Sequence, residues 1–142
     1  MQALHPGMEL LAWTDLPFSD LVSSAAVWVT DYSSTAFDAA YAGVPVAYLQ
    51  SDRDEVYGGG SHIYQRGYFD YERDGFGPVS ESPTVLAEHI GRLAVEGMAN
   101  EHRRRVDETF LPNDGENSER VFRAINSLFQ VQPARRILKR ID

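Results

Sequence analysis

Cysteine is absent from all 142 residues, which removes disulfides, zinc ribbons and thiol nucleophiles and is compatible with a reducing compartment. Positive charge is scarce, with 13 Lys and Arg against 21 Asp and Glu and a formal net charge of −8. Such a chain repels nucleic acid as a whole, and no basic stripe interleaved with aromatics overrides that. No apolar run approaches the ~20 residues that span a bilayer, and no basic segment followed by a long apolar run opens the chain, so neither a membrane span nor a signal peptide is expected. The glycine-rich dinucleotide fingerprint, the Walker lysine motif and the Gly-x-Ser-x-Gly elbow are all missing. His5, His62, His89 and His102 share no ligand spacing, and the acidic residues lack the alternation of a calcium loop. Neither a metal nor a cofactor is expected, and there is no internal repeat.

What is present reads as an ordinary soluble core, 43% apolar and 24% charged, in one domain over 1–142 with a basic tail at 131–142. Residues 27–30 form a short run suited to a strand buried on both faces. A polar turn follows, Asp31-Tyr32-Ser33-Ser34, then an Ala-rich helix over 34–42, then Gly43 as the helix stop and a second strand over 44–49. Ser33 can cap that helix and Asp31 can turn the chain; equally, hydroxyls and free amides at a helix start on the carboxyl edge of a parallel sheet suit a phosphate. Upstream, 8–13 reads as a strand and Pro17 as the start of a short helix. Downstream, 50–65 is an acidic, glycine-rich loop. Val79 belongs to a very short strand, Ser82-Pro83 opens a helix with a Leu86, Ile90, Leu93 stripe, and Asn100 caps a helix through Phe110. The run Arg103-Arg104-Arg105 is expected mostly on a solvated face and His89 in a structural role. A last helix, from about Glu116 to Phe129, carries Val121, Ile125, Leu128 and Phe129 on one stripe. The alternation predicts an α/β fold with a parallel sheet flanked by helices.

Several stretches in order, Thr30-Asp31-Tyr32-Ser33-Ser34, Phe37-Asp38 with Gly43-x-Pro45, Arg66-Gly67-Tyr68-Phe69-Asp70, Gly77-Pro78-Val79, and Asp114-Gly115 with Ser118-x-Arg120-Val121, resemble the C-terminal part of the CDP-glycerol glycerophosphotransferase family over residues 10–129. The resemblance implies a partial Rossmann-like sheet, the C-terminal lobe of a glycosyltransferase-B-type fold. It also implies transfer of glycerol phosphate from CDP-glycerol to a hydroxyl of a teichoic-acid-like bacterial cell-wall polymer, with release of CMP. Carried over, Ser33 and Ser34 with their backbone amides hold a donor phosphate, Asp31 shapes the turn, Arg66 neutralises phosphate charge and Ser118 with Arg120 forms a second anion clamp. Against each stands a plainer role: Arg66 paired with a nearby acid, Arg120 on a solvent face, Asp114-Gly115 as a cap and turn, and Tyr68, Phe69 and Tyr71 as core aromatics rather than a base platform.

The family's catalytic histidines are matched only by His5, in His5-Pro6, 26 residues before Asp31. The second histidine belongs to an N-terminal lobe outside this chain, so the chain alone is expected to bind donor without turnover. The expected partners are CDP-glycerol or a related nucleotide-activated donor, a polyol-phosphate acceptor and the N-terminal lobe. A sheet edge left open in such a fragment can also pair with another copy. The expected location is cytoplasmic, peripheral on the inner face of the cell membrane. Two other readings use the same residues: the nucleotide-binding lobe of a nucleotide-sugar glycosyltransferase, and a non-catalytic binding module.

Overall fold

Pro17, which cannot donate a helical hydrogen bond, precedes the first helix and accepts from the amides of Asp20 and Leu21 at 3.0 and 3.1 Å. The computed structural model describes residues 7–11, 14–58, 67–110 and 114–131. His5, His62, Arg66 and the basic tail lie outside them. In order, the elements are α1 (Phe18–Ser24), β1 (Trp28–Thr30), α2 (Thr35–Tyr41), β2 (Val46–Leu49), α3 (Arg53–Tyr57), β3 (Val79–Ser80), α4 (Pro83–Glu96), α5 (Asn100–Phe110) and α6 (Asn117–Val131). Two compact units contain them, Met1–Thr109 and Phe110–Asp142. Among the described residues, no helix is long and apolar enough to cross a membrane.

The first unit is α/β, with a three-stranded parallel sheet in the order β1-β2-β3. Trp28 pairs with Val46, and Tyr48 pairs with Val79. Because side chains alternate along β2, Ala47 and Leu49 face one side and Val46 and Tyr48 the other. On the first side Ala47 packs with Leu86 and Leu93 of α4, joined by Val27, Leu49 and Ile90. The stripe read from the sequence is therefore the one that covers the sheet. Ser82 caps α4 by accepting the Val85 amide, with Pro83 in the first helical turn. On the other side an aromatic cluster surrounds Tyr48: its ring lies 5.1 Å from that of Tyr71, which sits 5.2 Å from Phe69, and Phe37 of α2 contacts both Phe69 and Phe76. Ala36, Ala39 and Ala40 of α2 are buried, and their small size permits close helix packing. Gly43 (φ 78°) follows the end of α2, as expected of a left-handed helix stop.

Three expectations are corrected. Residues 8–11 form no strand and are exposed; among the described residues the stretch has no partner strand to satisfy its backbone, and 12–13 lie outside the described residues. β1 is not buried on both faces. It is an edge strand of the described sheet, and Val29 is 43% exposed. Within the acidic loop a short helix, α3, forms around buried Val56, a single apolar anchor too brief to show helical periodicity. Of the three arginines expected mostly on a solvated face, Arg103 and Arg104 are exposed, Arg103 donating to the Met98 carbonyl at 3.2 Å and Arg104 lying 3.8 Å from Glu108, while Arg105 is half-buried and donates to the Gly75 carbonyl at 2.9 Å. In addition, α5 begins at Asn100 itself, and the Ala99 carbonyl accepts the Arg103 amide.

In the second unit, α6 presents Val121, Phe122, Ile125, Leu128 and Phe129 on its surface, and Arg123 pairs with Glu119 one turn earlier at 2.5 Å.

Gly77 is the tightest point of the sheet. A Cβ there would lie 1.6 Å from the Val46 carbonyl oxygen, whereas at Gly91 on α4 it would meet nothing. Gly77→Ala is expected to destabilise by about 1–3 kcal/mol through forced separation of backbone, and Gly91→Ala to stabilise by about 0.5–1 kcal/mol. Urea unfolding of the two variants, with midpoints moving in opposite directions at constant slope, checks both.

Candidate functional site

In a parallel sheet all strands end on the same side, so the segments that leave β1, β2 and β3 meet along one edge. Here those segments are Asp31-Tyr32-Ser33-Ser34, Gln50-Ser51-Asp52 and Glu81-Ser82. An open cleft of about 510 Å³ runs along the edge, lined by Val29, Thr30, Asp31, Leu49, Ser51 and Asp52. A neighbouring cavity of about 330 Å³ shares Ser51 and Asp52 with it and extends past Gln50 and Glu81.

The serine turn is ordered by its own hydroxyls. Ser33 Oγ accepts the Thr35 amide at 3.3 Å and the Thr35 hydroxyl at 3.1 Å, while Trp28 Nε1 of β1 donates to Thr35 Oγ1 at 3.2 Å. Ser33 thus supplies the capping side chain, while Ser34 holds the N-cap position immediately before α2. The next amides are also taken: Ala36 N donates to the Ser33 carbonyl at 3.4 Å and Phe37 N to the Ser34 carbonyl at 2.9 Å. These three amides of the first turn of α2 form internal bonds, which leaves the expectation for the Ser33 and Ser34 amides as it stood. Ser34 differs. It is exposed, and its side chain makes no cap bond to the helix. A hydroxyl without a cap to maintain can be given to a ligand at little structural cost.

Tyr32 ties the first two segments together by donating its hydroxyl to Asp52 Oδ1 at 3.1 Å, and its ring meets Tyr57 and Tyr71 edge-on, each at 5.8 Å. Burial, reinforced by the Asp52 carboxylate that accepts its proton, raises the Tyr32 pKa, so the phenol stays a donor. The edge is rich in carboxylates: Asp31, Asp52, Asp54, Glu55 and Glu81 line the two hollows. Arg53 is the cation among the described lining residues, and its Nη1 is bonded to Glu72 Oε1 at 2.6 Å.

The remaining candidates separate. Phe69 and Tyr71 belong to the aromatic cluster beneath the sheet, whereas Tyr68 is 92% exposed. Ser118 and Arg120 stand in the first turn of α6, in the second unit. Arg120 is bonded there to the Asp114 carboxylate and to Asn117 Oδ1 at 2.8 Å, and the Arg120 bond holds the Asp114 carboxyl below its usual range. His89 serves structure, with Nδ1 2.9 Å from the hydroxyl of buried Ser80. Arg66 and His5 fall outside the described residues. Asp31, Ser33 and Ser34 therefore share one turn beside the cleft, and the second pair occupies a separate unit.

Sequence reasoning missed Gln50. It is 1% exposed, and neither Nε2 nor Oε1 of its carboxamide has a hydrogen-bond partner. A buried polar group left in that state costs about 1–3 kcal/mol, so its retention calls for a reason beyond packing. The available signal was position: a long amide side chain at the residue that ends a buried strand.

The family described as CDP-Glycerol:Poly(glycerophosphate) glycerophosphotransferase matches residues 10–127. The chain is also 34% identical over 110 residues to the minor teichoic acid biosynthesis protein GgaB of Bacillus subtilis (strain 168), an alignment that covers 76% of this chain and 11% of that protein. The chain therefore spans about a tenth of the length of this curated relative. No solved structure matches it. With the parallel βαβ unit, the serine turn at its carboxyl edge and a match over most of its length, this chain belongs to the CDP-glycerol glycerophosphotransferase family.

Proposed function

We propose that this chain is the donor-nucleotide-binding lobe of a transferase that moves glycerol phosphate from CDP-glycerol to a hydroxyl of a teichoic-acid-like polymer. The observation that carries the reading is the Thr30-Asp31-Tyr32-Ser33-Ser34 turn, which stands beside an open cleft at the carboxyl edge of a parallel sheet, the place where such sheets take ligands. In this reading Ser34 donates its hydroxyl to a donor phosphate. Ser33 accepts from Thr35 twice and keeps its own proton for the same purpose. Asp31 shapes the turn. Because the described edge is acidic, the phosphate charge is balanced by Arg66, whose planar guanidinium suits that role. Ser118 and Arg120 supply a second anion clamp, in which phosphate replaces Asp114 on the guanidinium.

The acceptor and the general base come from outside the described residues, so the chain on its own binds donor without transferring it. Its setting is the cytoplasmic face of the membrane, where a nucleotide-activated donor is available.

Titration calorimetry with CDP-glycerol, CDP, UDP-glucose and UDP-N-acetylglucosamine is expected to give binding to the two cytidine ligands only. Preference for a uridine sugar would replace the reading with a glycosyltransferase lobe, and no binding to any of the four would leave a non-catalytic module.

The two serines are expected to separate in mutagenesis. Ser34→Ala weakens CDP binding by roughly 1–3 kcal/mol, the range for a hydrogen bond to a charged group, with an unchanged melting temperature. Ser33→Ala additionally lowers stability by about 1 kcal/mol because the cap on Thr35 is lost. Equal melting losses with unchanged affinity would reduce both serines to architecture.

β1 stands at the edge of the described sheet with Val29 exposed, and in this reading that edge pairs with a second copy. Sedimentation velocity is expected to show concentration-dependent dimers that Val29→Lys abolishes; a clean monomer at high concentration would exclude the pairing.

A further inference from the structure

The cleft at the serine turn has two walls. Val29, Thr30 and Asp31 belong to the end of β1 and the turn after it, and Leu49, Ser51 and Asp52 to the end of β2 and the segment after it. The register of the two strands ends at the pair Thr30 and Tyr48, so past that point the ladder no longer sets the spacing of the walls. A side-chain bond does. Tyr32, next to the lining residue Asp31, donates its hydroxyl to Oδ1 of the lining residue Asp52 at 3.1 Å, and one wall is thereby tied to the other.

The remaining contacts single out that hydroxyl. The bonds made by Ser33, Thr35 and Trp28 Nε1 stay within the strand-helix unit of β1 and α2; they shape the turn without fixing its distance from β2. The Tyr32 ring meets Tyr57 and Tyr71 edge-on, and a phenylalanine there would keep both contacts. Asp52 stands at the N-cap of α3, a position where a carboxylate ordinarily caps the helix, yet its side chain makes no cap bond. Its carboxylate is given to Tyr32 instead.

We propose that Tyr32 is a positioning residue for the donor: by holding Asp52 it fixes the width of the cleft and presents Ser34, two residues on, to the phosphate. The inference rests on the donor-lobe reading and makes the cleft preorganised before the ligand arrives. Tyr32 acts through the turn rather than on the phosphate.

The test is titration calorimetry of the 142-residue chain and its variants with CDP, with melting temperatures measured alongside. Tyr32→Phe keeps the ring contacts and removes the bond; it is expected to weaken CDP binding roughly fivefold, the order of one part-exposed hydrogen bond that holds the binding-competent arrangement. Asp52→Asn and Asp52→Ala both remove the charge beside the cleft, but the asparagine amide oxygen still accepts from the phenol. Tyr32→Phe is therefore expected to cost the same factor in the Asp52→Asn background and nothing in the Asp52→Ala background. If Tyr32→Phe lowers the melting temperature but leaves the CDP affinity unchanged, the bond is architecture alone, and the inference is overturned while the donor-lobe reading stands. An equal loss of affinity in the Asp52→Ala background overturns it as well, because the hydroxyl then acts without Asp52. Failure of the unaltered chain to bind either CDP or CDP-glycerol overturns both.

Discussion

The position of Tyr48 at the centre of the sheet is the constraint on which the first unit depends. Its amide donates to the Pro78 carbonyl at 2.9 Å, which registers β3 against β2. Its ring is wholly buried against Tyr71, and its hydroxyl accepts the Phe76 amide at 3.3 Å. Burial pushes the phenol up to about 12, so it stays neutral wherever the protein is folded at ordinary pH. One residue thus fixes strand register, the aromatic floor and the turn at Gly75-Phe76-Gly77. Gly77 is bare because the chain returns there against the Val46 carbonyl, and Arg105 of α5 closes the same turn from outside through the Gly75 carbonyl.

The candidate site inherits its shape from this arrangement. The register set at Tyr48 brings the ends of β1, β2 and β3 to one edge. Tyr32, bonded to Asp52 and packed on Tyr57 and Tyr71, connects that edge to the aromatic floor. The Thr30–Ser34 turn accordingly carries structural duties of its own. Its tyrosine is a brace, Ser33 is a cap, and Ser34 is the side chain left with the least structural duty. A motif read as a single phosphate cradle resolves into three different physical roles.

Much of this was legible residue by residue. The Leu86, Ile90, Leu93 stripe, the Ser82-Pro83 helix start, Gly43 as a stop and the Thr30–Ser34 turn all follow from local stereochemistry, and the structure bears them out. What failed shares one cause. The expected strand at 8–13 and the deep burial of β1 each depended on what another part of the chain supplies. Among the described residues, 8–11 have no strand to pair with, and β1 is flanked on one side only.

The sequence by itself determined the family, the α/β alternation and the place of the serine turn, because strand, cap and helix-stop signals act over a few neighbouring residues. Tertiary structure alone decided that the carboxyl edge is acidic, that the first-turn amides are already bonded, and that Gln50 lies buried beside a cavity with its amide unanswered. Those properties belong to pairs of segments far apart in the chain. A side chain's burial and the partners left for it exist only once the strands have been brought side by side.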